Sequence, residues 1–326
     1  ERLGPMATKE LRQSLRRGSF VIPFILIQFL SVAATGLEFY GKSGASLDDN
    51  LVGMLNIALL WSSGPLWAVI GVICVVVMPL GGIILMGQEL EEGNHELLLL
   101  TKIGRWKIVF GKFIILWGLC LLTFASLLPY VIARYQIGQI EWWYELACSL
   151  TVIGASAILC AGVVGASSFK TIAGRIGVLM LFLFSVAIGC GIPLAASGAV
   201  THGLGIFYHL TALAAVFCYG TMGLALARSR LRLVVLAYEV KPSGMLIALL
   251  ICAPFAIGMV TAISVGYAGF FGLLGMGIVA AFLDASPKAP AWVQPPAPNI
   301  PVSPLAEPAK STPATPAPIA DQETVG

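Results

Sequence analysis

Seven long stretches that are nearly free of charged residues constrain this sequence more than any other feature. A helix needs about 20 mostly apolar residues to cross the roughly 30 Å hydrocarbon layer of a membrane. Six stretches have that length and a seventh is about twice as long; they lie near residues 20–38, 64–87, 113–132, 146–168, 176–198, 204–227 and 244–283. Only 11% of the chain is charged, against roughly 25% in a typical soluble domain. The sequence therefore predicts an all-α integral membrane protein.

The longest stretch, 244–283, predicts two membrane crossings. It contains no Asp, Glu, Lys or Arg, and Gly266, Gly269 and Gly272 lie near its middle. Because glycine accommodates tight turns, we expect a helical hairpin here, which gives about eight spans in total. The alternative is one span followed by a re-entrant or interfacial segment.

The basic residues predict the orientation, because cytoplasmic loops of membrane proteins carry an excess of Lys and Arg. If the amino terminus is cytoplasmic, fifteen of the nineteen basic residues lie in inside segments, and only Lys42 and Arg134 lie in outside loops. We therefore expect a multi-pass protein of the plasma membrane (a bacterial inner membrane) with a cytoplasmic amino terminus. The rings of Trp142, Trp143 and Tyr144 are expected at the headgroup level before the fourth span.

Residues that could perform catalysis inside the membrane are sparse. Glu38 lies at the outer end of the first span, and the polar residues Gln28, Asn56, Thr123 and Ser126 cannot titrate. Interhelical hydrogen bonding is the expected role of such polar residues. A transporter driven by protons or sodium normally needs carboxylates near the midplane, so any energy for uphill transport is expected to come from another protein.

Two near-motifs fail on their spacing. Residues 104–112 have six residues between two glycines and Phe113 after the lysine, whereas a phosphate-binding loop needs four residues and then Ser or Thr. His95-Glu96 begins like a zinc-protease helix but lacks the second histidine. The seven cysteines lie singly in apolar runs, without metal-ligand spacing. We expect no enzyme activity, and no metal or cofactor bound by this chain.

The amino-terminal segment predicts a helix that lies on the inner membrane surface. At 100° per residue, Leu11 and Leu15 fall on one face, opposite three cations. Such a helix places its cations toward anionic lipid headgroups. The alternative is an ordinary polar leader. The residues assigned to this interface helix are Lys9, Glu10, Leu11, Arg12, Leu15 and Arg16.

The segment 88–112 predicts a cytoplasmic surface that another protein holds. Asn94 can cap a helix, and Glu96 would lie in its first turn, where a carboxylate is favoured. An apolar stripe that includes Leu97 and Leu98 would face the cytoplasm. Exposed apolar side chains of this kind indicate a partner surface, although they could instead rest on the membrane. Lys107 and Lys112 are expected to anchor the next span at the surface, so they would lie at its start.

Two stretches resemble the ABC-2 type transporter permeases. Residues 92–101, Glu-Gly-Asn-His-Glu-Leu-Leu-Leu-Leu-Thr, and 106–112, Trp-Lys-Ile-Val-Phe-Gly-Lys, are similar to that family's hallmark segment, and residues 6–16 are similar to its amino-terminal Lys-Glu-Leu segment. Asn94 and His95 replace the usual Thr/Ser-Leu, and Lys102 replaces a common proline. The residues that map onto the coupling motif are Glu92, Gly93, Glu96, Leu97, Leu98, Gly111 and Lys112.

The resemblance implies a membrane-spanning permease subunit of an ATP-driven transporter, with export as its expected direction. It implies a separate ABC ATPase subunit that binds ATP and Mg, a homodimer or a heterodimer with a second permease, contact with membrane lipids, and no nucleic acid. A non-transporting multispanning anchor or assembly subunit is the alternative. The predicted parts are an interface helix at 1–19, a six-span ABC-2-like helical bundle at 20–235 with the coupling loop 88–112, a membrane hairpin at 236–284, and a disordered tail at 285–326, in which 11 of 42 residues are proline.

Overall fold

The structure is a computed structural model, and the description below covers residues 18–41, 57–83, 105–138, 142–169, 171–200, 206–230, 244–264 and 268–283. These residues all belong to the first of the two units into which the chain divides, Glu1–Pro287. The described part is almost entirely helical and contains no strand. Its helices are α1 (Gly18–Gly41), α2 (Ile57–Ser62), α3 (Pro65–Leu80), α4 (Arg105–Gly138), α5 (Trp142–Ser167), α6 (Ile172–Val200), α7 (Ile206–Arg230), α8 (Gly244–Ile263) and α9 (Ala268–Phe282).

Six of the described helices are long and apolar enough to cross a membrane: α1, α4, α5, α6, α7 and α8. Many of their large apolar side chains are exposed, as expected where lipid replaces water as the solvent. The prediction of a helical, multi-pass membrane protein is confirmed at this level. Helices α3 and α9 are apolar but shorter.

Helix α3 has an unusual course. It begins with Pro65 in its first turn, continues as a π-helix over Gly71–Val77, and ends with a short α-helical segment at Met78–Leu80. Gly64, between α2 and α3, has a φ of 114°, a conformation that favours glycine. A Cβ atom at Gly64 would also overlap the carboxylate of Glu38. This turn therefore brings the start of α3 against the carboxyl end of α1.

The described core has two apolar clusters, one built mainly by α1–α5 and the other mainly by α6–α9. Helices α5 and α7 pack together through small residues. A Cβ atom at Gly223 would lie 2.5 Å from the carbonyl carbon and oxygen of Ala161, and one at Gly165 would lie 2.8 Å from the carbonyl oxygen of Gly223. Small residues of this kind allow helix backbones to touch, which is a common form of packing inside membranes.

Helix α4 is longer than the apolar run that predicts it. The sequence predicts a span at 113–132, but the helix covers Arg105–Gly138 and continues through Pro129. Lys112 is therefore a buried residue of the second helical turn and not a surface anchor, while Lys107 is exposed. Arg134, predicted to lie in an outside loop, is likewise helical and 3% exposed. A span predicted from apolar residues ends at the first charged residue. A helix can continue past that residue when the charge has partners inside the bundle.

Helix α5 also begins earlier than predicted. It starts at Trp142, where the sequence predicts a span from 146. Trp142 and Trp143 are exposed, as expected of rings at a membrane surface, but Tyr144 and Glu145 are buried. Tyr144 differs from the two tryptophans because it faces into the bundle, where its hydroxyl contacts Ser63.

Several predictions fall outside the described residues. They concern the interface helix at 1–19 apart from Gly18 and Ser19, most of the coupling loop, and the proline-rich tail.

Candidate functional site

A single guanidinium group joins three parts of the bundle. Arg134 of α4 donates from Nε to Oε2 of Glu38 in α1 at 2.7 Å. It donates from Nη1 to Oε1 of Glu145 in α5, and from Nη2 to the carbonyl oxygen of Ser63 between α2 and α3. The planar, forked donor set of arginine makes this three-way contact possible.

The remaining carboxylate oxygens are also bonded. The indole Nε1 of Trp67 donates to Oε2 of Glu145 at 2.9 Å. The backbone N–H of Leu66 donates to Oε1 of Glu38 at 3.3 Å. Each carboxylate therefore receives one bond from Arg134 and one bond from α3. We call the set Glu38, Ser63, Trp67, Arg134, Tyr144 and Glu145 the Arg134 cluster.

The turn between α2 and α3 is held by hydroxyl groups. The Ser63 hydroxyl contacts the Tyr144 hydroxyl at 2.7 Å and Sγ of Cys148 at 3.2 Å, and it also donates to the Leu59 carbonyl. The contacts place a serine beside a phenol and a thiol, and no histidine takes part among the described residues. The arrangement does not have the base that a serine nucleophile requires.

The charges of the Arg134 cluster do not balance. One guanidinium faces two carboxylates, and the side chains of Arg134, Glu38 and Glu145 are 4%, 10% and 2% exposed. Buried charges are tolerated only when they are paired and hydrogen-bonded, so the three helices that carry them depend on one another. The cluster can hold α1, α4 and α5 together.

A line of polar side chains continues from the cluster between α1 and α4. Nε2 of Gln28 donates to Oγ of Ser126 at 2.7 Å, which confirms the interhelical hydrogen bonding expected of these two residues. In both helices the Gln28–Ser126 contact precedes the Glu38–Arg134 contact along the chain, so α1 and α4 run parallel. We call the set Gln28, Ser31, Thr35, Thr123 and Ser126 the polar seam.

Of the residues predicted to couple the chain to a partner, the structure describes two. Gly111 and Lys112 lie in the second turn of α4, where Lys112 is buried and has an interaction partner. A Cβ atom added at Gly111 would meet nothing within 4 Å. The predicted coupling residues Glu92, Gly93, Glu96, Leu97 and Leu98, and the interface-helix residues Lys9, Glu10, Leu11, Arg12, Leu15 and Arg16, lie outside the described residues.

Sequence reasoning missed Arg134 and Glu145 as site residues. A signal was present, because each is a lone charge within about one turn of the end of an apolar run. The predicted alternation of spans also places the end of the first run, the end of the third and the start of the fourth on the same side. Three single charges at the same level of the membrane indicate that these residues form ion pairs with one another, rather than that each lies in a separate loop.

Comparisons with models of protein families, with curated proteins and with solved structures found no match. The class that the fold and site define is a multi-pass helical membrane protein with a buried ionic cluster at one end of the bundle.

Proposed function

We propose that this chain is the membrane-spanning permease subunit of an ATP-driven, ABC-2 type transporter that works as an exporter. Its support in the sequence is the similarity of 6–16 and 88–112 to that family. In this proposal a separate ATPase subunit binds ATP and Mg, and this chain supplies the path and the coupling surface. The chain acts as a dimer in the plasma membrane with its amino terminus in the cytoplasm, and residues 244–283 form a hairpin that crosses twice.

The observation that carries the proposal is the course of α4. The coupling motif ends at Gly111 and Lys112, and the same continuous helix leads to Arg134. The 22 residues between Lys112 and Arg134 correspond to about 33 Å of helix, which is close to the roughly 30 Å of the hydrocarbon layer. One continuous helix thus connects the proposed motif to the Arg134 cluster over a distance close to the thickness of the hydrocarbon layer.

This geometry supports a mechanical form of coupling. When the ATPase subunits close, they would displace residues 89–104, and α4 would carry the displacement along its axis. Its other end bonds α1, α5 and the α2–α3 turn through Arg134. A shift of α4 would strain these bonds together and would change how α1 packs on the bundle.

Co-purification with a candidate ABC ATPase subunit tests the proposal. Glu92→Ala removes the first carboxylate of the motif, and Leu97→Asp places a charge in the apolar stripe. We expect either change to weaken the complex or to uncouple ATP hydrolysis, while membrane insertion stays intact. An unchanged complex and unchanged turnover in both variants would contradict the proposal and favour the anchor or assembly subunit.

Two glycines of α4 provide a matched pair for the same assay. Gly111 and Gly118 lie two turns apart on nearly the same face, and a Cβ atom at either would meet nothing within 4 Å. Gly111 belongs to the motif and Gly118 does not. We expect Gly111→Leu to weaken the complex and Gly118→Leu to leave it unchanged. Equal effects of the two substitutions would remove Gly111 from the partner contact.

A further inference from the structure

One face of α1 carries polar side chains over about half of the length of the helix. At 100° per residue, Gln28, Ser31, Thr35 and Glu38 fall within an arc of about 80°. Ser31 and Thr35 are buried on this face, together with apolar neighbours. The polar residues therefore point into the bundle and not into lipid.

Helix α4 presents a matching face. Thr123, Ser126 and Arg134 also fall within an arc of about 80°. The bonds Gln28–Ser126 and Glu38–Arg134 fix the two faces against each other at two levels. The polar seam therefore lies between two helices, with the Arg134 cluster at one end.

Ser31 is the exception within the polar seam. Its Oγ atom is fully buried and has no hydrogen-bond partner among the described residues. Thr35, Thr123 and Ser126 each donate to a carbonyl oxygen of their own helix, at 2.7, 2.9 and 2.6 Å. Buried polar groups almost always have a partner, so the Ser31 hydroxyl retains an unused capacity to bond an additional group.

Helix α1 is also the helix best placed to move. It is the least buried of the six long apolar helices, and its opposite face exposes large apolar side chains such as Ile22, Ile25 and Phe29. On its polar face, Gln28 and Glu38 form side-chain bonds to α4. If the Glu38–Arg134 pair were released, the Gln28–Ser126 bond would be the one that remains of these two.

We propose that the polar seam is a binding site for an uncharged hydrogen-bonding group, such as a hydroxyl or amide, which enters when the Glu38–Arg134 ion pair opens. The seam between Gln28 and Thr35 contains no charge, so it offers nothing to neutralise an ion. The Arg134 cluster at its end has two carboxylates and one guanidinium, which disfavours an anion. The proposal goes beyond the ATPase-coupled function and does not require it.

Thiol labelling in lipid nanodiscs, where both membrane faces are accessible, tests this proposal. Ser31→Cys is treated with hydroxyethyl, sulfonatoethyl and trimethylammonioethyl methanethiosulfonate, which are neutral, anionic and cationic. The unsubstituted chain, with its own cysteines, sets the background. Glu38→Gln removes the charge of the ion pair and so weakens it, while the side chain keeps its shape.

With the ion pair intact, Ser31→Cys is expected to be nearly inert. Adding Glu38→Gln is expected to raise the rate with the neutral reagent at least about tenfold, because the open state is otherwise a minor population. Relative to its rate with a free thiol in solution, the anionic reagent is expected to react about tenfold more slowly than the neutral one, because the seam holds no charge to offset the cost of burying an ion. No labelling after Glu38→Gln, equal rates with and without it, or an anionic reagent as fast as the neutral one would each overturn the proposal.

Two further variants guard against trivial results. Phe29→Cys lies on the lipid-facing side of α1, two residues from Ser31, and is expected to remain unlabelled in both backgrounds. If it were labelled as fast as Ser31→Cys, the reaction would report loss of the fold and the proposal would fail. Glu38→Asp keeps the charge but shortens the side chain, which moves the carboxylate away from Arg134. The labelling rate of Ser31→Cys is therefore expected to rise less than with Glu38→Gln, with the three reagents in the same order of rate. A different order in Glu38→Asp would contradict entry past this pair.

Discussion

Removal of the Arg134 guanidinium is expected to destabilise the bundle strongly. Arg134→Met keeps much of the side-chain volume but leaves two carboxylates without their cation, and those side chains are 10% and 2% exposed. Loss of one partner from a buried ionic set costs about 3–5 kcal/mol. With about 2–4 °C per kcal/mol, the midpoint of thermal unfolding should fall by roughly 6–20 °C. Size-exclusion chromatography of the detergent-solubilised protein, heated in steps, measures this shift.

A triple variant separates the charge effect from simple loss of packing. Glu38→Gln, Arg134→Met and Glu145→Gln together leave no buried charge in the cluster, and the glutamine carbonyl can still accept the Trp67 N–H bond. We expect the triple variant to recover most of the lost stability, because neutral replacement of a buried ionic set is often tolerated. Arg134→Lys keeps the charge without the forked donors, so its midpoint of thermal unfolding should lie between those of Arg134→Met and the unsubstituted chain. An unchanged midpoint in Arg134→Met, or a triple variant no better than the single one, would refute the reasoning.

Two other substitutions test the packing and the cluster. Gly223→Ala should destabilise the fold by about 1–3 kcal/mol, because its Cβ atom would lie 2.5 Å from backbone atoms of Ala161. Gly220→Ala on the same helix, with nothing within 4 Å, should be neutral or stabilising by up to about 1 kcal/mol, and equal effects would contradict close α5–α7 contact. Trp67→Phe should cost about 1–3 kcal/mol, because Glu145 loses its 2.9 Å indole donor. The same change in a Glu145→Gln background should cost less, and an equal cost would show that the charge of the acceptor is irrelevant.

The apolar runs predict the helices well and their ends poorly. Helices α1, α4, α5, α6 and α7 each cover nearly all of their predicted run, because a lipid-facing surface requires apolar residues along the whole element. The ends differ at α4 and α5, where charged residues continue the helix. Lys112, Arg134 and Glu145 look like loop residues in a hydropathy profile, and only the helices packed around them bury them.

The polar seam was partly predictable. Gln28, Thr123 and Ser126 stand out in the sequence as polar residues inside apolar runs, and hydrogen bonding between helices is the physical expectation for them. Ser31 does not stand out, because serine is common in membrane helices and its missing partner is a property of the packed bundle. The pairing of Glu38 with both Arg134 and the start of α3 likewise needs the turn at Gly64, which spacing alone does not reveal.

The disposition of the two ends of α4 relative to the membrane underlies the proposed coupling. Single cysteines at His95, in the motif loop, and at Tyr40, which is 91% exposed at the Glu38 end of α1, report on the two faces. A membrane-impermeant maleimide applied to right-side-out and inverted vesicles should label Tyr40→Cys from the outside and His95→Cys from the inside. Labelling of both from the same face, or of His95→Cys from the outside, would contradict a coupling loop in the cytoplasm and an ionic cluster at the opposite face.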